Sequence, residues 1–423
     1  MKTTIRPIKG TRDFYPEDMA FRTWLYDQMK AASQKFGYQE YEAPILEPLE
    51  LYAAKSGEEL VKEQSFVFTD RGGDEITLRP ELTPSLARMV AQKQRELIKP
   101  IRWWSFGPFW RYERPQKGRT REFFQWNIDL IGANSAYADA ELVAVLVEFF
   151  RSIGLSSKQV VIKVNNRKLM EEQIKAIGFQ ADQIDGVYKL IDKLDKLPAD
   201  KWAVYGEETL GLNKNQIDQL RGLVNDRGLW QKSSELTEFF NAIKDFGISE
   251  YVDYDSAIIR GLAYYTGVVF EAKELQGNNR SICGGGRYDN LVGDVGGEPM
   301  GGIGFAMGDV VIGLVLEEYS LKPNLRPAPS EVLVTVFDTS LMSTSAKIAT
   351  LIRSAGLKAE LYPEVAKLDK QLKYANAQAI PLALVIGPDE ASKNQVTVKD
   401  LRSGQQQTIE QAQITATIRS LLK

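Results

Sequence analysis

The stretch Phe109-Trp-Arg-Tyr-Glu-Arg-Pro-Gln-Lys-Gly-Arg-Thr-Arg-Glu-Phe-Phe-Gln125 decides the fold. Strand-forming runs at 101–113 and 123–132 flank its basic centre, a pattern typical of a β-hairpin. Successive side chains of a strand alternate between its faces, so Arg111 and Glu113 share one face. An arginine fixed on a strand is well suited to bind phosphate, although a basic hairpin tip can also be ordinary solvated surface.

Outward from this hairpin, hydrophobic periodicity predicts amphipathic helices at 17–36, 81–97 and 136–153. From about 168 to 245 the composition shifts to Lys, Asp, Gln and Leu in short helical patterns, which indicates an inserted helical module. Within it, helices are predicted at Val187–Leu197 and Asn215–Val224.

Strand patterns return at 257–272 and 280–283, before a glycine-rich stretch at 284–304 and an apolar helix near 308–318. The proline-rich segment Lys322–Ser330 is the clearest domain boundary. Beyond it, alternating elements predict a small α/β domain, with parallel pairing of its strands. Its strands are expected at 331–337, 358–361, 382–386 and 395–399, and its helices at 342–355, 366–378 and 408–421.

Composition excludes several kinds of chemistry. The 423 residues include one cysteine, Cys283, and no histidine, so neither a Ser–His nor a Cys–His nucleophile pair can form. A zinc site of Cys and His ligands is excluded for the same reason. The net charge of −3 means that a nucleic acid must be met by local basic patches. The first residues contain no apolar run, and no segment approaches the roughly 18 apolar residues of a membrane span, so a cytoplasmic protein without a membrane partner is expected.

Four further segments combine polar side chains with glycine or proline: Leu78-Arg-Pro-Glu-Leu-Thr83, Arg260-Gly-Leu-Ala-Tyr-Tyr-Thr-Gly267, Gly284-Gly-Gly-Arg-Tyr-Asp289 and Gly301-Gly-Ile-Gly-Phe-Ala-Met-Gly308. Each has an ordinary structural interpretation. Thr83 can be a helix cap, the tyrosines can pack across a hairpin, and residues 301–308 can be a closely packed strand of small residues that enters a helix. The glycine run is neither a P-loop nor a dinucleotide-binding fingerprint.

In their order and spacing, these segments resemble the class II aminoacyl-tRNA synthetases, and within them the histidine enzymes. Gly37-Tyr-Gln-Glu-Tyr-Glu-Ala-Pro44 is similar to motif 1, residues 109–125 to motif 2, and residues 301–308 to the start of motif 3. The two segments that begin at Arg260 and Gly284 resemble those that set the histidine enzymes apart from the rest of the class.

The resemblance implies an α+β fold: an antiparallel sheet flanked by helices, an inserted helical domain and a C-terminal anticodon-binding α/β domain. The implied division is a catalytic domain at 1–325, interrupted at about 168–245, a linker ending at 326–330, and an anticodon-binding domain at 331–423. It also implies a homodimer that uses ATP with Mg²⁺ to join L-histidine to tRNA(His) through a histidyl-adenylate.

Residue roles follow from the same resemblance. Arg111 and Arg260 would bind the α-phosphate from two sides as catalytic groups, and Glu113 and Arg121 would face ATP or the acceptor end. Seven residues would bind histidine: Glu81, Thr83, Gln125, Asp129, Tyr264, Tyr265 and Tyr288. In the basic loop, Arg114, Gln116 and Lys117 would meet the tRNA acceptor end. No metal ligand of the chain itself is implied.

Two positions depart from the family pattern. The arginine expected a few residues after the Gly-Phe pair of motif 3 is replaced by Val311, and Ala263 replaces a frequent aspartate.

The main rival interpretation is a regulatory paralogue that binds histidine for ATP phosphoribosyltransferase. Such subunits lack an anticodon-binding domain, whereas residues 331–423 resemble a complete one. A different class II synthetase conflicts with the two segments at 260 and 284.

Overall fold

The computed structural model describes residues 5–53, 64–194, 197–259, 264–277, 279–325 and 330–423. They form two compact units. One contains the described parts of Met1–Asp13 and Arg22–Lys322, and the other contains Phe14–Phe21 and the described parts of Pro323–Lys423. Within these ranges, no helix combines the length and the apolar character needed to cross a bilayer.

The first unit contains two sheets. Its strands, in chain order, are β1 (Gln39–Glu40), β2 (Leu46–Pro48), β3 (Phe66–Thr69), β4 (Glu75–Leu78), β5 (Ile101–Trp110), β6 (Glu122–Ile131), β7 (Val160–Asn166), β8 (Val252–Tyr254), β9 (Val268–Glu274), β10 (Cys283–Tyr288) and β11 (Gly302–Gly308). The large sheet has the order β1-β5-β6-β11-β10-β9-β7-β8, and a small sheet has the order β2-β4-β3. In the large sheet the pairs β1–β5 and β7–β8 are parallel, and the other neighbours are antiparallel.

The hairpin predicted around the basic loop is confirmed. Strands β5 and β6 pair without interruption from Ile101–Ile131 to Trp110–Glu122. Strand β6 then pairs with β11 on its other side, which brings motif 3 beside motif 2. The polar residues of the hairpin are thus held by a rigid central part of the sheet.

In the described residues up to Lys322, the helices are α1 (Pro16–Lys35), α2 (Glu50–Ala53), α3 (Thr83–Lys93), α4 (Ala136–Ser152), α5 (Arg167–Ala176), α6 (Ile184–Ile191), α7 (Ala199–Leu210), α8 (Lys214–Asn225), α9 (Ser234–Asp245), α10 (Leu291–Asp294) and α11 (Asp309–Glu318). The start of α1 belongs to Phe14–Phe21, which is grouped with the second unit. Helix α4 is apolar over most of its length and buries Leu142, Val145 and Phe149. Such a helix must be covered on several sides. It lies against the sheet, where Phe149 packs on Trp126, and α9 packs on it as well.

The segment from α5 to α9 is helical, as its composition predicts. Three of its helices begin at a side-chain cap: Asn166 for α5, Asn213 for α8 and Ser233 for α9. Each cap accepts a hydrogen bond from a backbone N–H that the first turn leaves free. Helix α8 matches the prediction at Asn215–Val224, whereas α6 begins and ends earlier than Val187–Leu197, whose residues 195–196 lie outside the described ranges.

The glycine-rich stretch contains parts of two strands, because β10 includes Gly284–Gly286 and β11 begins at Gly302. The strand that the small residues at 301–308 predict before a helix is confirmed as β11. A Cβ on Gly285 would lie 2.5 Å from the Gly304 carbonyl oxygen and 2.6 Å from the Phe270 ring. Glycine therefore allows neighbouring strands and an aromatic ring to come close together here.

The second unit is an α/β structure, as predicted. Its strands are β12 (Val332–Val334), β13 (Ala359–Leu361), β14 (Leu382–Val385), β15 (Gln395–Asp400) and β16 (Gln406–Glu410), and its helices are α12 (Met342–Ser354), α13 (Leu368–Ala377), α14 (Pro388–Ser392) and α15 (Ile414–Leu422). The order is β13-β12-β14-β15-β16. Parallel pairing is confirmed for β12 with β13 and β14, whereas β15 and β16 pair antiparallel.

One element of this unit was predicted wrongly. The helix expected at 408–421 is divided into strand β16 and helix α15. Gln406–Glu410 is polar and lies at the sheet edge, so it shows no apolar alternation that would mark a strand. Ile414 and Ile418 of α15 are buried in the core with Ile348 and Leu384.

Candidate active site

Two adjoining cavities open on the large sheet of the first unit. A smaller one, the inner pocket, has a volume of about 130 Å³, and a larger one, the outer cleft, has about 920 Å³. Four residues line both: Arg111, Gln125, Gly284 and Ala306. Molecules bound in the two cavities would therefore meet at a shared wall.

A carboxylate and a phenol form the floor of the inner pocket. Tyr288 on β10 donates a 2.7 Å hydrogen bond to Oδ1 of Asp129 on β6, and both side chains are buried. Burial raises the pKa of Asp129 to about 7, and the hydrogen bond from Tyr288 opposes that rise. Asp129 thus ionises near neutral pH and can accept a hydrogen bond from a ligand N–H.

Glycine makes room for this carboxylate. Gly304 on β11 is the register partner of Asp129, and a Cβ at Gly304 would lie 2.0 Å from Asp129 Oδ1. Gly302, two residues earlier on β11, is likewise the register partner of Tyr288. A Cβ at Gly302 would lie 2.5 Å from the Tyr288 ring. Residues larger than glycine at these positions would displace the two groups that form the floor.

A second polar pair forms one wall. Tyr264 donates a 2.9 Å hydrogen bond to Oε2 of Glu81. Burial raises the pKa of Tyr264 well above its usual value, and the charge of Glu81 adds to the rise. Tyr264 is therefore neutral and keeps its proton. The possible capping role of Thr83 is wrong: α3 is preceded by Leu82 without a side-chain cap, and Thr83 faces the pocket.

Strand β6 supplies three polar side chains to the inner pocket at every second position: Gln125, Asn127 and Asp129. The alternation of a strand places them on one face. Gln125 Oε1 is buried, and no described residue donates a hydrogen bond to it. A buried polar atom without a partner carries a free-energy cost that a bound ligand can relieve.

The tyrosines predicted for the pocket are brought together. Tyr264, Tyr265 and Tyr288 all line it, and the Tyr264 ring lies edge-on to both others, with centroids 5.0 and 6.1 Å away. All seven residues expected to bind histidine therefore line the inner pocket. With its carboxylates, phenols and amide groups, the pocket fits a small ligand that carries several N–H donors.

The outer cleft contains the motif 2 residues. Arg111 lines it, held by a 2.9 Å hydrogen bond from its Nε to the Pro80 carbonyl and by packing over the Phe123 ring. Glu113 also lines it and forms an ion pair with Arg119. A fixed arginine beside an aromatic face fits a phosphorylated ligand with a planar base.

The tip of the basic loop projects into solvent. Arg114, Gln116 and Lys117 are exposed, and Gln116 and Arg119 pair across the turn. Gly118 has a φ of +75° at this turn, a conformation that glycine adopts without strain. The three residues expected to meet tRNA thus lie together at an accessible tip.

One predicted ATP-binding residue, Arg121, lines neither cavity, and another, Arg260, is not among the described residues. The Arg121 guanidinium packs 4.0 Å over the Tyr112 ring, and its Nε donates to the Glu113 carbonyl. Ala263 also lies outside the described residues. Val311, where the family arginine was expected, lines the outer cleft.

Sequence reasoning missed several lining residues. Asn127 could have been found, because it lies two residues from both Gln125 and Asp129. Phe123 lies within the motif 2 segment but was given no role, and Glu271 and Arg280, which also line the outer cleft, belong to no motif. In contrast, Arg287 of the glycine-rich segment is structural: it is buried and forms an ion pair with Asp139 of α4.

The sequence of this chain is similar to family models and to known proteins over nearly its whole length. A family model described as histidyl-tRNA synthetase matches residues 10–309, and one described as an anticodon binding domain matches residues 331–421. The chloroplastic/mitochondrial histidine–tRNA ligase of Arabidopsis thaliana is 38% identical over 416 residues, which cover 96% of this chain and 85% of that protein. The histidine–tRNA ligase of Leptospira biflexa is 36% identical over 418 residues, covering 96% and 95%.

A solved structure is similar over nearly the same extent. The crystal structure of histidyl-tRNA synthetase from Nostoc sp. PCC 7120 superposes with a TM-score of 0.83 at 27% identity. The superposition covers 99% of this chain and 100% of that one. The similarity thus includes both the unit that holds the two cavities and the C-terminal α/β unit.

Proposed function

The chain belongs to the histidyl-tRNA synthetase family, and from this membership we propose how its residues share the work of the reaction. It attaches histidine to tRNA at the expense of ATP. The observation that carries the assignment of residues is the pair of adjoining cavities, one sized for an amino acid and one for a nucleotide, with Arg111 and Gln125 in their shared wall.

The inner pocket binds L-histidine in this proposal. A neutral imidazole has one N–H donor and one acceptor nitrogen. Asp129 can accept from the first, and the Tyr264 hydroxyl can donate to the second by turning away from Glu81. Glu81, Thr83 and Gln125 lie at the other end, where they can bind the α-amino and carboxylate groups. Amino acids without matching nitrogens would leave these buried groups unpaired, a mismatch that can cost a factor of about 10⁴–10⁵.

The outer cleft binds ATP. A carboxylate oxygen of histidine attacks the α-phosphorus, the bond to the bridging oxygen breaks, and pyrophosphate leaves with its electron pair. Arg111 at the shared wall is placed to stabilise the charge on the α-phosphate. We assign Arg260 to the opposite side of that phosphate, and Glu113 and Arg121 to ATP contacts, on the resemblance of their motifs alone.

Magnesium fits this cleft as a companion of ATP. Mg²⁺ is usually held by one or two carboxylates together with substrate phosphates. Glu113 and Glu271 are carboxylates on the wall of the cleft, so the donor set suits a phosphate-bound ion. When bound, the ion would neutralise charge on the departing pyrophosphate. No described cluster of three acidic or cysteine residues offers a separate metal site.

In the second step, the terminal ribose hydroxyl of tRNA(His) attacks the carbonyl carbon of the adenylate and AMP leaves. The exposed residues Arg114, Gln116 and Lys117 can contact phosphates of the acceptor end.

The α/β domain at 331–423 binds the anticodon, and the catalytic domain extends over 1–325 with the helical insertion at about 168–245. The domain that matches the anticodon-binding model leaves the regulatory-paralogue interpretation less supported.

The active form is a homodimer in the cytoplasm. Support comes from Gly37–Pro44, the segment that resembles the dimer-forming motif 1. Exposed apolar side chains follow it in the chain and lie on the small sheet: Ile45, Leu46, Val67 and Phe68. Exposed apolar surface can mark a protein interface. Buried Cys283 is the only cysteine and suits a reducing compartment.

ATP–pyrophosphate exchange measured with each proteinogenic amino acid tests the function. We expect exchange with L-histidine and none above background with the others. Absence of exchange with histidine at saturating ATP and magnesium would refute the proposed catalytic role and favour the regulatory interpretation.

A further inference from the structure

The residue that replaces the family arginine has a cationic neighbour. Val311 and Arg280 approach the same point beside Gly118: a Cβ built there would lie 3.6 Å from Val311 Cγ2 and 3.7 Å from Arg280 Cδ. Both residues line the outer cleft. Arg280 belongs to the segment before β10 and not to motif 3, so a guanidinium is present in this part of the cleft although position 311 carries none.

The backbone near Arg280 is anchored. On its N-terminal side, the Asn279 backbone N–H donates to the buried carboxylate of Glu274, and the Asn279 side chain donates to Glu318 at the end of α11. On its C-terminal side, the Ile282 N–H donates to the Ala272 carbonyl at 2.8 Å. Helix α11 also carries Val311, so the two residues are fixed in one local framework.

The Arg280 guanidinium is available for a ligand. It is exposed to the cleft and makes no hydrogen bond or ion pair with another described residue. Its pKa is lowered, first by partial burial and then by the positive charge of Arg119, while Glu113 and Glu271 oppose that effect. Two cations that repel each other in one cleft are both stabilised when a polyanion enters.

We propose that Arg280 binds the β- and γ-phosphates of ATP and so supplies the cation that position 311 lacks. This proposal rests on the outer cleft being the ATP site. Arg111 lies at the wall shared with the inner pocket, next to the α-phosphate, whereas Arg280 lies beside the basic loop with Arg119. A chain of arginines along the cleft thus follows the triphosphate.

The test compares Arg280→Ala, Arg280→Lys and the control Arg71→Ala, in which an exposed arginine of the β3–β4 turn is removed. Steady-state pyrophosphate exchange gives the KM for ATP and for histidine, and calorimetry gives the affinities for ATP and for AMP. Thermal unfolding checks that each full-length variant is folded. For Arg280→Ala we expect the KM for ATP to rise roughly tenfold or more, because one charge-assisted contact is lost.

Three accompanying results are expected. The KM for histidine and the affinity for AMP stay as in the wild type, since neither ligand has a terminal phosphate. Arg280→Lys retains most of the affinity for ATP, because a point charge serves a phosphate, whereas stacking on adenine needs the planar guanidinium. Arg71→Ala behaves as the wild type.

An unchanged KM for ATP in folded, active Arg280→Ala would overturn the proposal and leave the synthetase function intact. Equal weakening of ATP and AMP would also overturn it, because the contact would then be to the nucleoside. If the wild type binds ATP but does not exchange pyrophosphate with histidine, the proposed function fails, and the calorimetric comparison still decides the role of Arg280.

Discussion

Tyr288 donates its hydroxyl proton to Asp129 on the floor of the inner pocket, at a distance of 2.7 Å between Oη and Oδ1. The phenol therefore occupies one carboxylate oxygen and leaves the other for a ligand. Because Tyr288 is itself buried and its pKa is raised well above the usual value, it keeps its proton around neutral pH.

Histidine binding should depend on the ionisation of Asp129. Burial raises the pKa of this acid to about 7, so its charged form gains population as pH rises through that value. If only the charged form accepts from the imidazole N–H, the KM for histidine falls about tenfold between pH 6 and pH 8. The measurement is pyrophosphate exchange across this range. Asp129→Asn should bind histidine weakly and show only the titration of the free amino acid; a profile identical to wild type would contradict the assignment.

Gly304→Ala should damage both stability and the pocket. The new Cβ would lie 2.0 Å from Asp129 Oδ1, so the strand or the carboxylate must move. We expect a loss of about 1–3 kcal/mol in the free energy of unfolding, measured by denaturant titration, and a higher KM for histidine.

Gly308→Ala is the matched control on the same strand, because nothing lies within 4 Å of a Cβ there. Gly308 precedes the first residue of α11, where Ala is a poorer cap than Gly, so a loss of no more than about 1 kcal/mol is expected. Equal destabilisation by the two substitutions would mean that the loss of glycine itself, and not the contact with Asp129, is responsible.

Arg260→Ala should largely abolish pyrophosphate exchange while leaving the fold intact. The expectation comes from the family resemblance, since Arg260 lies outside the described residues. Removal of one group that stabilises developing charge typically lowers kcat about 10²–10³-fold. Arg111→Ala provides the comparison and should lose a similar factor. Near-normal turnover of a folded Arg260→Ala variant would show that the phosphate contact is misassigned.

The double variant Arg114→Ala, Lys117→Ala should separate the two steps of the reaction. Both side chains are exposed at the loop tip, so pyrophosphate exchange should be unchanged. Transfer to tRNA should have a lower kcat/KM, and the slope of log(kcat/KM) against log[salt] should become shallower by about 0.7–0.9 for each lost phosphate contact. Unchanged transfer and salt dependence would place the acceptor end elsewhere.

Local patterns predicted the hairpin and most of the helices, because these depend on periodicity within one segment. Strand β10 was harder to predict. Glycine has no side chain to alternate, so nothing in Gly284–Gly286 marks a strand, although its backbone pairs on both sides. The prediction of a helix at 408–421 was wrong over β16 for a related reason. The residues of β16 are polar, and only their pairing with β15 defines the strand.

In the candidate site, too, some features can be predicted from local sequence and others depend on tertiary structure. The resemblance to the histidine enzymes implied seven residues for histidine binding, and all seven line the inner pocket. The relation between Gly304 and Asp129 could not be read from the chain, because it depends on the register of two strands far apart in sequence. The position of Arg280 beside Val311 likewise results from tertiary packing, and no sequence motif predicts it.

The wall that the two cavities share has a thermodynamic consequence. Arg111 and Gln125 face both ligands, so whichever ligand binds first fixes side chains that the second also needs. The affinities for histidine and ATP are then linked by a coupling free energy, and the factor by which one strengthens the other must be the same in both directions. Cooperativity between the two substrates would thus arise from a few common side chains, without movement of a domain.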